Sequence, residues 1–272
     1  MGALLTTGDG AAVAEERPEA KGPVILVCEH ASATLPERIG TLGLTEAALS
    51  SHIAWDPGAL AVCRLLSEAL DATLVFQRFS RLVYDCNRPP EAVSAMPPVS
   101  EVFEIPGNQG LTPKERLART EALYFPFRDH LARLVAARKA DGRAPVLVTV
   151  HSFTPIYFGK PREVELGILH DSDSRLADAM LAAGEGEAGV VIRRNAPYGP
   201  ADGVTHTLIE HGVKAGIANV MIEIRNDLIA EESGQRVMAA LLARLLGSGL
   251  AALANENNKD PGSGMSADGA RR

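Results

Sequence analysis

The chain has 272 residues, 46% hydrophobic and 22% charged, which excludes a wholly disordered protein and allows a full core in one large domain. Its net charge of -7 speaks against nucleic-acid or anionic-membrane partners, so any anion site must be a local cluster of arginines. No run approaches the roughly 20 apolar residues that span a bilayer, and residues 1–22 lack the basic and apolar regions of a secretory signal.

Residues 1–22 carry no periodic apolar face and read as a disordered tail, as do residues 253–272. One α/β domain is expected between them, over residues 23–252. Its first strand is the apolar run Pro23–Cys28, which delivers Glu29-His30-Ala31-Ser32 at its carboxyl end. Thr45 caps a short helix. Asp56-Pro57-Gly58 precedes a second helix, Ala59–Leu70, with Leu60, Cys63, Leu66 and Leu70 at helical spacing. Asp56 is either a plain helix cap or a functional carboxylate. Residues 72–76 and 82–85 read as strands around Ser80-Arg81. Residues 89–111 hold five prolines and two glycines, and so form a long loop of the kind that serves as a lid or binding segment.

Thr112-Pro113-Lys114-Glu115 is a capping box that opens a helix ending near Gly142. Next comes Pro145–Phe153, a continuous apolar run that ends in His151-Ser152. It reads as a central strand buried on both faces, whose carboxyl end is where open α/β sheets place ligands. Strands over 164–170 and 190–192, a helix over 172–183 and a helix over 203–216 follow. His206 and His211 are expected on a surface face of that last helix. A final strand, Ala218–Arg225, and a long helix, Glu231–Ala252, close the chain. Alternating strands and helices predict an α/β fold with a mostly parallel or mixed sheet and helices on both faces. No nucleotide-binding glycine motif is present. Cys28, Cys63 and Cys86 fall within strand and helix patterns, as the reduced thiols of a cytoplasmic protein do.

Three strand ends thus offer Glu29 and His30, His151, and Glu223 and Arg225. Two histidines and one carboxylate make a catalytic zinc shell with an open position. A further carboxylate can act as general base, and Arg81, Arg88 and Arg225 suit a bidentate grip on a substrate carboxylate.

Cys28-Glu29-His30-Ala31-Ser32, Asp56-Pro57-Gly58, the block Ser80-Arg81-Leu82-Val83-Tyr84-Asp85-Cys86-Asn87-Arg88-Pro89, His151-Ser152-Phe153 and Glu223-Ile224-Arg225-Asn226-Asp227 together resemble the N-formylglutamate amidohydrolase family. The resemblance covers roughly residues 23–250. It implies a fold similar to the zinc carboxypeptidases and aspartoacylases (phosphorylase/hydrolase-like), and a metal-dependent, monomeric or small oligomeric hydrolase of N-acyl amino acids. Carried over by residue, it implies metal ligands at His30 and His151, with Asp56 or Glu29 as the third. Asp56 is favoured because Glu29 stands where many members carry proline. Glu223 is the implied general base and acts with Arg81. Arg88, Asn87, Ser80, Arg225 and Ser152 are the implied substrate contacts. Another metallopeptidase or deacylase of the same fold, or a non-catalytic binding protein, is the alternative.

Overall fold

The computed structural model describes residues 3–259. Seven strands form the main sheet: β1 (Val13–Glu16), β2 (Val24–Cys28), β3 (Thr73–Gln77), β4 (Val146–Phe153), β5 (Leu166–Leu169), β6 (Ile192–Arg194) and β7 (Asn219–Arg225). Their spatial order is β1-β3-β2-β4-β7-β5-β6. The central strands β3, β2, β4 and β7 run parallel, β1 and β5 pair antiparallel to their inner neighbours, and β6 runs parallel to β5. The sheet is therefore mixed, with a parallel centre, and both fold expectations meet in it.

Burial explains why the central strands read as unbroken apolar runs. Val24, Leu26, Val148, Val150, Val220 and Ile222 face a core shared with three helices, α2 (Ala59–Ala69), α5 (Arg175–Ala183) and α6 (Glu232–Lys259). Ile25, Val27, Leu147 and Met221 face the opposite core. That side is covered by α4 (Phe125–Ala140), which continues α3 (Pro113–Arg119) through a π turn over Thr120–Tyr124, and by the proline-rich loop. The short helix α1 (Glu46–Leu49) starts at Thr45, whose side chain accepts from the Ala48 amide, and α3 starts with the Thr112–Glu115 capping box. Helix α6 comes closer to membrane-span composition than expected, with a mean hydropathy of 1.9 over its most apolar window. The reason is packing: Met238, Leu241, Leu242, Leu245 and Leu246 are buried against α2 and α5.

Four expectations are corrected. Residues 1–22 are not a free tail, because Val13–Glu16 pairs with β3 from Glu16↔Leu74 to Val13↔Gln77. Alternating contacts on a sheet edge leave little periodic signal in four residues. The expected tail at 253–272 begins as helix, since α6 runs to Lys259; the rest of that segment lies outside the described residues. Residues 82–85 form turns, not a strand, with Val83 N bonded to Ser80 O and Arg88 N to Asp85 O. Lastly, His211 sits in a π turn (Leu208–Val213) and is buried, not on a surface face.

Candidate active site

Parallel order places the carboxyl ends of β2, β4 and β7 side by side, and they carry the chemistry. Glu29 and His30 follow the last residue of β2. His151 on β4 and Glu223 on β7 are register partners, so their side chains leave the sheet on the same face. Asp56 is brought to them by the turn that enters α2. Its amide donates to His30 O at 2.9 Å, and Gly58 completes the turn with φ of +80°. A Cβ at Gly58 would stand 2.5 Å from Ile229 O, so no other residue fits that turn. Asp56 is thus not the helix cap; Gly58 holds that position.

His30, Asp56 and His151 converge on one point. Asp56 Oδ2 lies 3.2 Å from His30 Nδ1 and 3.0 Å from His151 Nδ1, and the two Nδ1 atoms are 3.1 Å apart. Tetrahedral bonds of about 2.0–2.1 Å would separate such ligand atoms by roughly 3.3–3.4 Å, so the triangle is close to a closed shell. Each imidazole turns its other nitrogen to a carboxylate: His30 Nε2 to Asp85 Oδ1 at 2.7 Å, and His151 Nε2 to Glu29 Oε2 at 3.2 Å. The Asp85 hydrogen bond fixes the His30 tautomer, with the proton on Nε2 and the lone pair on Nδ1, while Glu29 stands within ion-pair range of His151. Atoms of His30, Asp56 and His151 that could hold a metal, one from each, thus meet at one buried position.

The electrostatics agree. Burial opposes the charge of His151, yet Glu29 and Asp56 outweigh it and hold its pKa well above the usual range. Burial also opposes ionisation of Asp56 and Asp85. His30 and His151 nevertheless drive Asp56 far below the carboxylate range, and His30, Arg81 and Arg88 do the same to Asp85. The point between the histidines has a strong affinity for positive charge.

Glu223 behaves differently. It is 4% exposed, accepts no hydrogen bond from any described residue, and has a fully buried Oε2. Burial pushes its pKa up to about 7, His151 opposing the rise and Asp56 adding to it. A carboxylate that gains a proton near neutrality is suited to proton transfer.

These groups open into a cavity of about 180 Å³ lined by His30, Asp56, Arg81, Arg88, His151 and Glu223, among others. That is below the roughly 300–1,000 Å³ of pockets for drug-sized ligands, and fits a small metabolite. The expected substrate contacts divide on inspection. Arg88 borders the cavity, donates to Asn87 O at 2.8 Å, and has no carboxylate within ion-pair range among the described residues. Arg81 is bound to Asp85 at 2.7 Å and Asp56 at 3.4 Å, so it braces the carboxylates while keeping a partly exposed edge. Asn87 borders the cavity, but its amide joins Val204 O at 2.6 Å and Thr207 N at 2.9 Å. Ser152 donates through Oγ to Pro57 O and through its amide to Asp56, which it steadies.

Two residues stand outside the cavity. Ser80 is buried and donates to Ala54 O at 2.7 Å. Arg225 pairs with Glu165 at 3.1 Å and Asp227 at 2.8 Å. Both hold loops rather than ligand. Sequence reasoning missed Asp85 as the partner of His30, although it lies inside the most specific motif block. It also missed Tyr198, Phe153, Tyr157, His52 and Glu101 on the cavity wall, which no local pattern marks.

Fold and site together define an α/β protein whose candidate functional groups stand at the carboxyl ends of adjacent parallel strands. The sequence model of the N-formylglutamate amidohydrolase family matches residues 22–230, and the chain belongs to that family, a family of amidohydrolases. A gene product of Agrobacterium tumefaciens of solved structure is 62% identical, with a TM-score of 0.91 over 92% of this chain and 99% of that one. The N-formylglutamate amidohydrolase of Ralstonia eutropha shares the fold at 18% identity, with a TM-score of 0.63 over 90% of this chain and 99% of that one. No curated protein matches significantly.

Proposed function

We propose that the protein is a metal-dependent amidohydrolase that cleaves the linear amide of an N-acyl amino acid, with N-formylglutamate as the reference substrate of its family. The observation that carries this reading is the convergence of His30 Nδ1, His151 Nδ1 and Asp56 Oδ2, each imidazole backed by its own carboxylate. Two imidazoles and one carboxylate suit zinc. When bound there, a divalent ion supplies Lewis acidity to the scissile carbonyl and makes water more acidic.

The chain's own groups do the rest. Arg88 grips a substrate carboxylate and fixes the amide over the strand ends. Glu223 takes a proton from the attacking water and returns it to the leaving nitrogen, so that acid and amine form without a net change at the enzyme. Arg81 keeps Asp56 and Asp85 ionised and in place.

Dialysis against a strong chelator is expected to abolish hydrolysis of N-formylglutamate, and zinc to restore it. His30→Ala and His151→Ala are each expected to lose stoichiometric metal. Full metal occupancy in both variants, or unimpaired turnover in the dialysed protein, would contradict the assignment. A panel of N-acyl amino acids and their amides reads the Arg88 contact: the free acids should be preferred.

A further inference from the structure

One polar group on the cavity wall has a task that neither the metal ligands nor Glu223 fulfil. Tyr198 lies in the loop after β6, and its hydroxyl oxygen accepts a hydrogen bond from Arg162 Nη1 at 2.9 Å. Arg162 is held in place by three rings, with its guanidinium 5.4 Å from the centre of Phe153, 4.3 Å from Tyr157 and 4.8 Å from Tyr198. It has no carboxylate within ion-pair range among the described residues. Phe153, Tyr157 and Tyr198 line the cavity, while Arg162 stands behind them. The charge of Arg162 therefore reaches the cavity through the Tyr198 hydroxyl. With Arg162 donating to that oxygen, the phenol's own hydrogen has no acceptor among the described residues and is free to donate to a ligand.

The backbone brings the loop that carries Tyr198 to the strand next to the proposed base, and both residues line the cavity. Gly167 on β5 is the register partner of Glu223, so the two positions share one face of the sheet. A Cβ at Gly167 would meet Ala196 O at 2.1 Å. The segment carrying Tyr198 thus crosses directly over Gly167, beside Glu223 on the neighbouring strand, in space that only a glycine leaves open.

We propose that Tyr198 is a catalytic residue that donates a hydrogen bond to the oxygen of the reacting carbonyl, and that Arg162 is the positioning residue that aims and polarises it. The proposal rests on the amidohydrolase reading above. As the oxygen of water bonds to the carbonyl carbon, the π pair moves onto the carbonyl oxygen, and the Tyr198 O–H shortens its contact with that growing charge. The proton stays on the phenol throughout. Burial raises the phenol pKa to about 12, Glu223 adding to the rise and Arg162 opposing it, so the group remains a donor across the working range. A donor placed where charge develops acts more on the transition state than on the bound substrate.

Two measurements on the metal-loaded, full-length protein test this. With N-formylglutamate, Tyr198→Phe is expected to lower kcat by about 10²–10³-fold, the usual effect of removing one such donor, with KM and metal content nearly unchanged. Arg162→Gln should lower kcat less, with Arg162→Lys recovering part of the loss. An unchanged kcat, or a rise in KM alone, overturns the proposal. The second measurement needs no turnover: sodium formate, a product carboxylate, should perturb the near-ultraviolet tyrosine spectrum of the wild type saturably, and not that of Tyr198→Phe. If no N-acyl amino acid is hydrolysed, the amidohydrolase reading fails and this second measurement judges Tyr198 alone. Identical formate responses in both proteins, or none in the wild type, then overturn the proposal.

Discussion

At the scale of single residues, two groups of buried carboxylates contrast in charge. Asp56 and Asp85 are buried among cations and stay ionised, whereas Glu223 is buried without a partner and takes up a proton near neutrality. Glu223 has no ion pair with Arg225, which is held by Glu165 and Asp227. Glu223→Gln should therefore keep its fold while kcat falls by about 10²–10⁴-fold. The sign of the stability change is also fixed. A carboxyl with a folded pKa of about 7 and an ordinary value of 4.5 binds more protons folded than unfolded, so it costs stability as pH rises through that window. In metal-free protein the Gln variant should gain on the wild type between pH 5 and pH 8, by at most on the order of 3 kcal/mol. Thermal melts of both proteins at the two pH values check this; a gain that shrinks with rising pH would refute it.

At the scale of elements, legibility followed the range of the forces involved. The central strand, the first strand and the Thr112–Glu115 capping box were visible because a few neighbouring residues determine them: β-branched runs for the strands, and a side chain reaching an amide three residues on for the cap. The turn at 82–85 was mistaken for a strand, since Leu82, Val83 and Tyr84 are buried by the opposite core and not by a sheet partner. His30, Asp56 and His151 could be named from motifs, but Asp85 behind His30 depends on contacts 55 residues apart. Strand β1 was hidden for the same reason: its partners lie some sixty residues away. Deleting residues 3–20 is accordingly expected to cost several degrees in Tm, because it removes a strand and the buried Ala12 and Ala20. Melting the truncated protein by circular dichroism measures it, and an unchanged Tm would show that β1 contributes nothing.

At the scale of the whole molecule, the buried His211 makes its share of the fold's stability sensitive to acid. His211, pushed down to about 4 by burial, is nearly neutral when folded but binds a proton near its ordinary value of 6.5 when unfolded. Glu223 acts in the opposite sense between about 7 and 4.5. Through His211, however, the unfolded chain holds more protons, so the His211 contribution to stability falls as pH drops from about 6.5 towards 4. Asp56 and Asp85, with depressed pKa values, shift stability in the same direction as they approach protonation at still lower pH. Urea midpoints measured from pH 7 to pH 4 should show the wild type losing stability relative to His211→Gln as pH falls. A constant difference between the two proteins across that range would show that His211 does not contribute to acid lability.

The antiparallel pairing of Val13–Glu16 along β3 has one more consequence, and it concerns solubility. Without it, Thr73-Leu74-Val75-Phe76-Gln77 would end the sheet with open amides and carbonyls, and such a β-prone edge invites pairing between molecules. The first strand caps that side with Glu15 and Glu16. At the far edge, β6 has only three residues, two of them the exposed Arg193 and Arg194. Both borders are short strands, of four and three residues, so each offers another copy little edge to zip onto.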